Sequence, residues 1–264
     1  MKNIELLKKI CEAPGAPGYE QRIREIVVRE VGPLVDDVRI DNMGNVVAIR
    51  KGKARKKVMI AAHMDEIGFI VTHIDDNGFI YFHTLGGFDP KTLTAQRVII
   101  HGKKEVIGVM GSKPIHLMSV ADRAKVPTIK DYFIDTGLTK SDLNKLISVG
   151  DTITRERNLI EMGDCLNCKS LDNRVSVFIL IEMLREMKKK PPYDVYAAFT
   201  VQEEIGIRGA NVASMEINPD FGFGLDTTIA WDTPGSTKQE QVSALGEGAC
   251  IKVMDSSTVC DYRM

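Results

Sequence analysis

Short apolar segments that end beside a histidine or a carboxylate form the clearest pattern along this chain. The three segments are 58–62 before His63 and Asp65, 195–201 before Glu203 and Glu204, and 221–225 before Asp226. Continuous apolar runs of this length predict buried strands of a largely parallel sheet. Ligands of open α/β sheets bind beyond the carboxyl ends of such strands, so we expect these polar side chains to meet at one edge.

Helices are predicted around these strands. Apolar residues at helical spacing predict one helix at the start of the chain, which stops at Pro14, and a second over 20–31. A third, strongly apolar helix follows Asp172 and ends at Pro191. The alternation of helices and buried strands predicts an α/β fold.

The pattern changes between about residues 73 and 163, where short strands and turns predominate. The turn 76–78 predicts a hairpin, a second hairpin is predicted around 101–104, and only 141–147 predicts a clear helix there. We therefore expect an α/β catalytic domain, formed by 1–72 and 164–264, that is interrupted by a β-rich inserted domain over 73–163.

Composition narrows the possible partners. The chain has 264 residues, of which 44% are hydrophobic and 27% charged, and its formal net charge is −1. This balance gives no reason to expect nucleic acid or an anionic membrane as a partner. Residues 1–20 lack the pattern of a signal peptide, and no apolar run approaches the roughly 20 residues that cross a bilayer. Because the five cysteines fit reduced thiols better than a disulfide framework, we expect a cytoplasmic protein.

The residues at the strand ends are suited to metal chemistry. A histidine that binds a metal through one ring nitrogen is commonly held at the other by a carboxylate, and Asp65 could hold His63 in this way. The adjacent Glu203 and Glu204 can divide two tasks, one binding metal and the other activating water. Each residue has a plainer interpretation as a solvated loop residue, but their combination favours a hydrolytic metal site.

Asp172 and Asp226 are weaker candidates when each is taken alone. Asp172 directly precedes the third helix, where an aspartate is most often an N-cap. If that helix points into the site, the same carboxylate can bridge two cations. Asp226 is most simply a surface acid that follows the third strand.

Other polar features carry less weight. Cys165 and Cys168 supply only two thiolates, and no second pair follows at zinc-ribbon spacing. The four remaining histidines lie in the β-rich segment, where we expect surface residues or satisfied core residues. The Gly-rich segment 206–209 is too short for a phosphate loop and predicts close backbone packing beside the site.

Four segments of the chain resemble the tetrahedral (TET) and deblocking aminopeptidases. They are 61–68, 171–174, 200–206 with 208–210, and 225–228. The resemblance implies a zinc-exopeptidase-like, three-layer α/β/α catalytic domain that removes N-terminal residues from peptides. It also implies two divalent metal ions per subunit, zinc or cobalt, and a β-rich insert that serves as a dimerisation domain. Family members assemble such dimers into a hollow dodecamer.

The resemblance also implies the metal ligands. Asp172 matches the carboxylate that bridges the two ions, and His63 and Asp226 would complete one metal site. Glu204 would serve the other ion.

Two further roles follow from the same positions. Glu203 matches the general base, and Asp65 matches the carboxylate that orients the metal-binding histidine. Two divalent ions about 3.5–4 Å apart can generate hydroxide and polarise a scissile carbonyl.

The chain departs from the family at the second metal site. That site needs a further histidine beyond another strand and helix, but no histidine follows His116, and the last strand-like segment is 249–254. We therefore expect a C-terminally truncated member whose second site is incomplete and whose activity and assembly are reduced.

Two alternatives remain open from the residues. One is a glycoside hydrolase of endoglucanase type that uses paired carboxylates, although adjacent Glu203 and Glu204 are poorly placed for opposite sides of a sugar. The other is a catalytically impaired oligomeric scaffold. Metal content separates them, since the peptidase alone requires bound ions.

Overall fold

The structure, a computed structural model, describes residues 3–255 and 258–263. The chain divides into two compact units, residues 1–226 and 227–264, and each is described by itself. The helices are α1 Ile4–Glu12, α2 Gln21–Val31, α3 Val120–Arg123, α4 Lys140–Leu146, α5 Leu171–Glu186 and α6 Arg208–Ile217. The strands are β1 Asp37–Ile40, β2 Val46–Arg50, β3 Ala54–His63, β4 Gly68–Ile74, β5 Ile80–Leu85, β6 Arg97–His101, β7 Glu105–Ser112, β8 Tyr132–Asp135, β9 Thr152–Arg155, β10 Ile160–Met162, β11 Cys165–Asn167, β12 Tyr193–Thr200 and β13 Phe221–Gly224.

The central sheet has the strand order β1-β2-β12-β3-β13. β12 is parallel to β3, with Thr200 opposite His63, and β13 is parallel to β3 on its other side. β2 runs antiparallel to both β1 and β12. The three strands that the sequence pattern identified are therefore parallel, and their carboxyl ends lie at the same edge of the sheet.

Helices cover both faces of this sheet. On one face α1, α2 and α5 bury apolar residues against it, and on the other face α6 does. Side chains of β12 alternate between the two cores, since Phe199 packs in the first and Ala198 in the second. The predicted three-layer α/β/α arrangement is confirmed.

β13 differs from the buried strand that its apolar sequence predicts. Gly222, Phe223 and Gly224 are exposed, Phe223 to 45%. Among the described strands β13 pairs with β3 alone, so it forms an edge of the sheet. Two glycines in four residues also leave little side-chain area to bury.

Residues 68–155 contain a closed barrel with the strand order β4-β5-β8-β7-β6-β9 and an apolar core of its own. The two predicted hairpins are confirmed as β4–β5 and β6–β7, and the predicted helix as α4. Residue 73 lies inside β4, and the hairpin β10–β11 spans residue 163, so both predicted boundaries fall within secondary structure. The turn at 76–78 connects β4 to β5, so the first strand of the barrel, β4, lies before this turn.

In the second unit the described residues form no helix or regular strand, and an isolated pairing joins Met254 to Val259. The strand predicted over 249–254 is therefore wrong. Its apolar side chains are exposed, Ile251 to 94%, and a strand without a neighbour has no ladder to satisfy its backbone. Of the helices in the described residues, none has the length and apolar character needed to cross a membrane.

The start of α6 approaches the end of β12 closely. Gly209 N donates to Val201 O at 3.0 Å, and Asn45 contacts both residues by accepting from Val201 N and donating to Gly209 O, each at 2.9 Å. A Cβ at position 209 would lie 2.3 Å from Val201 O and 2.4 Å from Asn45 Oδ1. The close backbone packing predicted for 206–209 is confirmed at this glycine.

We expect Gly209→Ala to destabilise the protein by about 1–3 kcal/mol, because the added methyl meets backbone oxygen that cannot move aside. This cost exceeds the roughly 1 kcal/mol that alanine gains over glycine in a helix. Thermal unfolding measures the effect as a Tm lower by several degrees. Gly222→Ala is the matched control, since its Cβ would have no neighbour within 4 Å. Equal Tm values for the two variants would contradict the close approach.

Candidate functional site

All six candidate side chains lie at the carboxyl edge of the central sheet. His63 is the last residue of β3, Asp226 follows β13, and Glu203 and Glu204 follow β12. Asp172 lies at the start of α5, which packs against β3 from one face. The sheet topology therefore brings residues that are up to 163 positions apart in sequence into one site.

His63 lies at the centre of the cluster and is buried. Its Nε2 atom is 3.2 Å from Asp172 Oδ1, 3.8 Å from Glu203 Oε2 and 3.8 Å from Asp226 Oδ1. Its Nδ1 atom is 3.3 Å from Asp65 Oδ1. One ring nitrogen thus faces the open carboxylates and the other faces a buried one, which is the orientation that a metal-binding histidine needs.

Asp172 is not the N-cap of α5. The N-cap is Ser170, and the backbone at Asp172 and Asn173 is non-helical. The Asp172 side chain is 61% exposed and turns toward His63. Asn173 Nδ2 donates to Leu225 O at 2.8 Å, so the same turn is joined to the segment that carries Asp226.

Asp65 does more than face His63. It is fully buried, and its two carboxylate oxygens accept from Glu203 N at 3.0 Å and Glu204 N at 3.1 Å. One side chain thereby fixes the backbone of the acidic pair relative to the end of β3. The sequence pattern did not predict this second contact, because the two segments are more than a hundred residues apart.

The electrostatics of the cluster favour an added cation. Burial, together with the nearby Asp172, raises the pKa of Glu204 to about 7. Burial also raises the pKa of Glu203, with His63 opposing and Asp226 adding to the effect. For His63 burial acts to lower the pKa, but the hydrogen bonds to Asp172 and Asp65 outweigh it and raise the pKa to about 10. The raised pKa of His63 means that the carboxylates stabilise a proton on its ring. A bound cation at the same place would likewise reduce the repulsion among the carboxylates.

A divalent metal ion fits this set of donors. His63, Asp172 and Glu204 each place one ligand atom within 4.8 Å of the others. An imidazole nitrogen and carboxylate oxygens are common donors for zinc and related divalent ions. Asp226, the fourth predicted ligand, lies beside the same imidazole nitrogen.

Three buried charged residues near the site were missed by the sequence analysis. Glu66 follows Asp65 directly, and its Oε1 atom is 2.5 Å from Lys169 Nζ and 3.8 Å from the guanidinium of Arg174. No periodic pattern marks Lys169 or Arg174, since each stands beside polar residues. Their place on either side of Asp172 is the one signal in the sequence that could have identified them.

The four remaining histidines and the cysteine pair lie outside this cluster. His73, His83 and His116 are exposed, and His101 Nε2 is hydrogen-bonded to Thr154 Oγ1 at 2.8 Å. The thiol of Cys168 lies against the carbonyl oxygens of Cys11 and Arg157.

Comparison with known proteins identifies the family. The sequence matches the M42 glutamyl aminopeptidase family over residues 44–264. The lysyl aminopeptidase of Pyrococcus furiosus is 37% identical over 261 residues, which cover 96% of this chain and 74% of the relative.

Solved structures agree with this match. The TET aminopeptidase of Thaumarchaeota archaeon SCGC AB-539-E09 superimposes with a TM-score of 0.90 at 35% identity, covering 94% of this chain and 71% of the other. The Pyrococcus horikoshii TET1 peptidase, described as assembling into a tetrahedron or a large octahedral shell, has a TM-score of 0.77 at 33% identity, with coverages of 84% and 68%. The chain belongs to the M42 aminopeptidase family, whose members are hydrolases of the exopeptidase type.

Proposed function

We propose that this aminopeptidase removes N-terminal residues from peptides by a metal-dependent mechanism in which Glu203 is the general base. The observation that carries the proposal is the convergence of His63, Asp172 and Glu204 at the carboxyl edge of the sheet, each with a ligand atom within 4.8 Å of the others. Family membership and the named relatives support the exopeptidase reaction itself.

The proposed ligands divide into two sets that share Asp172. His63, Asp172 and Asp226 would hold one ion, since both carboxylates lie within 3.8 Å of His63 Nε2. Glu204, together with a share of Asp172, would hold the other. Zinc and cobalt both suit these donors.

Bound divalent ions would supply Lewis-acid polarisation of the scissile carbonyl and an acidified water. Glu203 would accept a proton from the attacking water and return it to the leaving amine. Its raised pKa, caused first by burial, brings it closer to the value that suits both transfers. Asp65 would hold the Nδ1 side of His63 and keep Glu203 in place through its backbone N–H.

The substrate class that follows is peptides with a free amino terminus. The excess of carboxylates around His63 favours an ammonium group, which an amino terminus provides. The name of the family refers to glutamyl residues and that of the relative to lysyl residues. Family membership therefore supports peptides as the substrate class and does not favour one N-terminal residue.

The alternative of a glycoside hydrolase is less well supported. Such enzymes place two acids on opposite sides of a sugar. Here Glu203 and Glu204 are adjacent, their backbones share Asp65 as an acceptor, and a buried histidine lies among them. An imidazole that faces three carboxylates is explained by a cation rather than by a sugar.

We also propose that the barrel mediates homo-oligomerisation. Solved relatives assemble into closed shells. Within residues 68–155, several large apolar side chains are exposed: Ile107, Val109, Ile115, Leu117, Val120 and Val126. Exposed apolar residues in such numbers are typical of a surface that packs against another protein.

Glu203→Gln should reduce peptide hydrolysis by about 10²–10⁴-fold, because the amide cannot accept the proton of the attacking water. Metal content should stay near that of wild type, since Glu203 is not among the proposed ligands. Steady-state hydrolysis of aminoacyl and short-peptide substrates, with elemental analysis of the same samples, measures both. Glu161→Gln, on an exposed strand, is the matched control. Retention of wild-type turnover in Glu203→Gln would exclude Glu203 as the base.

Metal analysis should find one tightly held ion per chain and a second that is weak or absent. The first set has an imidazole and two carboxylates, while the second has carboxylates alone, and the other four histidines of the chain lie outside the site. Elemental analysis after gel filtration in metal-free buffer measures the ratio, and His63→Ala should lose the tight ion. Two full equivalents would show that another residue or a neighbouring subunit completes the second set.

Light scattering at micromolar concentration should give a mass that is a multiple of the 29.3 kDa chain. Leu117→Glu should lower the mean mass if the barrel forms the contact, because a buried unpaired charge is costly at an interface. Ile179→Glu, on an exposed position of α5, is the comparison. A monodisperse wild-type monomer would contradict the proposal.

A further inference from the structure

A group of buried charges lies next to the proposed metal ligands. Glu66 and Arg174 are almost completely buried and Lys169 is only slightly exposed. Lys169 Nζ lies 2.5 Å from Glu66 Oε1, and the Arg174 guanidinium lies 3.8 Å from the same oxygen. One carboxylate therefore faces two cations in the protein interior, an arrangement that costs desolvation and requires accurate geometry.

These residues join the two segments that supply His63 and Asp172. Glu66 lies three residues after His63, and Lys169 lies three residues before Asp172. The contact between Glu66 and Lys169 thus spans the gap between the end of β3 and the start of α5.

A third segment is tied to the same point. Lys169 Nζ donates to Ala13 O at 3.3 Å, while Gly15 N donates to Glu66 Oε1 at 3.2 Å and Glu66 N donates to Gly15 O at 2.9 Å. The turn after α1 therefore anchors both partners. The Nζ contacts are hydrogen bonds that a neutral amine would also make, so they do not depend on the charge of Lys169.

The contact between Glu66 and Lys169 lies next to carboxylates that repel one another. Asp172 and Glu204 each place a carboxylate oxygen within 4.8 Å of the other, and two negative charges this close repel each other. The regular backbone of α5 begins after Asn173, so the position of Asp172 depends on its flanking residues. Ser170 before it and Arg174 after it are buried and hydrogen-bonded to the end of α1.

We propose that Glu66 and Lys169 are positioning residues that hold His63 and Asp172 at the separation a metal ion requires. The ion itself rests on the function proposed above, whereas the positioning is a property of the chain. Residues that orient metal ligands in this way typically change metal affinity by about 10–100-fold when they are replaced.

Lys169→Met is the informative change. It removes the donor but leaves Glu66 facing Arg174, so no net charge is stranded in the interior, and the side-chain length is nearly kept. Glu66→Gln would instead leave Lys169 and Arg174 buried beside a neutral amide, without a negatively charged partner. Lys145→Met is the matched control, because Lys145 pairs with Asp142 on the exposed surface of α4.

The experiment uses the full chain, stripped of metal, with Co²⁺ as the sole added ion. Equilibrium dialysis gives the Kd, and hydrogen exchange reports on residues 63–66 and 169–173 without metal. We expect Lys169→Met to weaken Co²⁺ binding about 10–100-fold and to speed exchange in those two segments, with Tm within a few degrees of wild type. Lys145→Met should match wild type in all three measurements.

Binding within twofold of wild type together with unchanged exchange would overturn the proposal. If Lys169→Met does not fold, Lys169→Leu, which also removes the donor, is measured in the same way and judged by the same two outcomes. Failure of the wild-type chain to bind Co²⁺ would refute the metal proposal alone. Hydrogen exchange in the variant would then decide the positioning role, faster exchange in the two segments supporting it and unchanged exchange overturning it.

Discussion

The site depends on two adjacent buried carboxylates that fix different segments. Asp65 accepts from the backbone N–H groups of Glu203 and Glu204, and Glu66 accepts from Lys169. The end of β3 is thereby joined to the loop after β12 by one residue and to the start of α5 by the next. Both contacts lie beneath the cluster of acids and join the segments that carry them.

These contacts hold several carboxylates close together, and their mutual repulsion is unfavourable. Burial, together with the neighbouring carboxylates, raises the pKa values of Glu203 and Glu204, and hydrogen bonds to Asp172 and Asp65 raise the pKa of His63 against the effect of its burial. A flexible edge would relieve that repulsion by moving apart. The hydrogen bonds of Asp65 and Glu66 hold the segments together instead, and a bound cation would be stabilised by such an arrangement.

Much of this could be predicted from the sequence, since it rests on local patterns. Apolar runs that end in polar residues identified three parallel strands, and turn residues identified both hairpins of the barrel. Two predictions were wrong: a strand over 249–254 and the burial of β13. Strand formation and burial both depend on neighbouring segments that no local pattern reveals. Glu66 and Lys169 could not be paired either, since their contact is set by packing across 103 positions of sequence.

The insertion of the barrel gives the same contact a wider consequence. The chain enters the barrel at Gly68, just after Glu66, and leaves it at Arg155, whose guanidinium donates to Lys169 O at 2.7 Å. Glu66 and Lys169 therefore join the two crossings between barrel and sheet. The same buried pair thus connects the segments that carry the proposed metal ligands with both ends of the barrel.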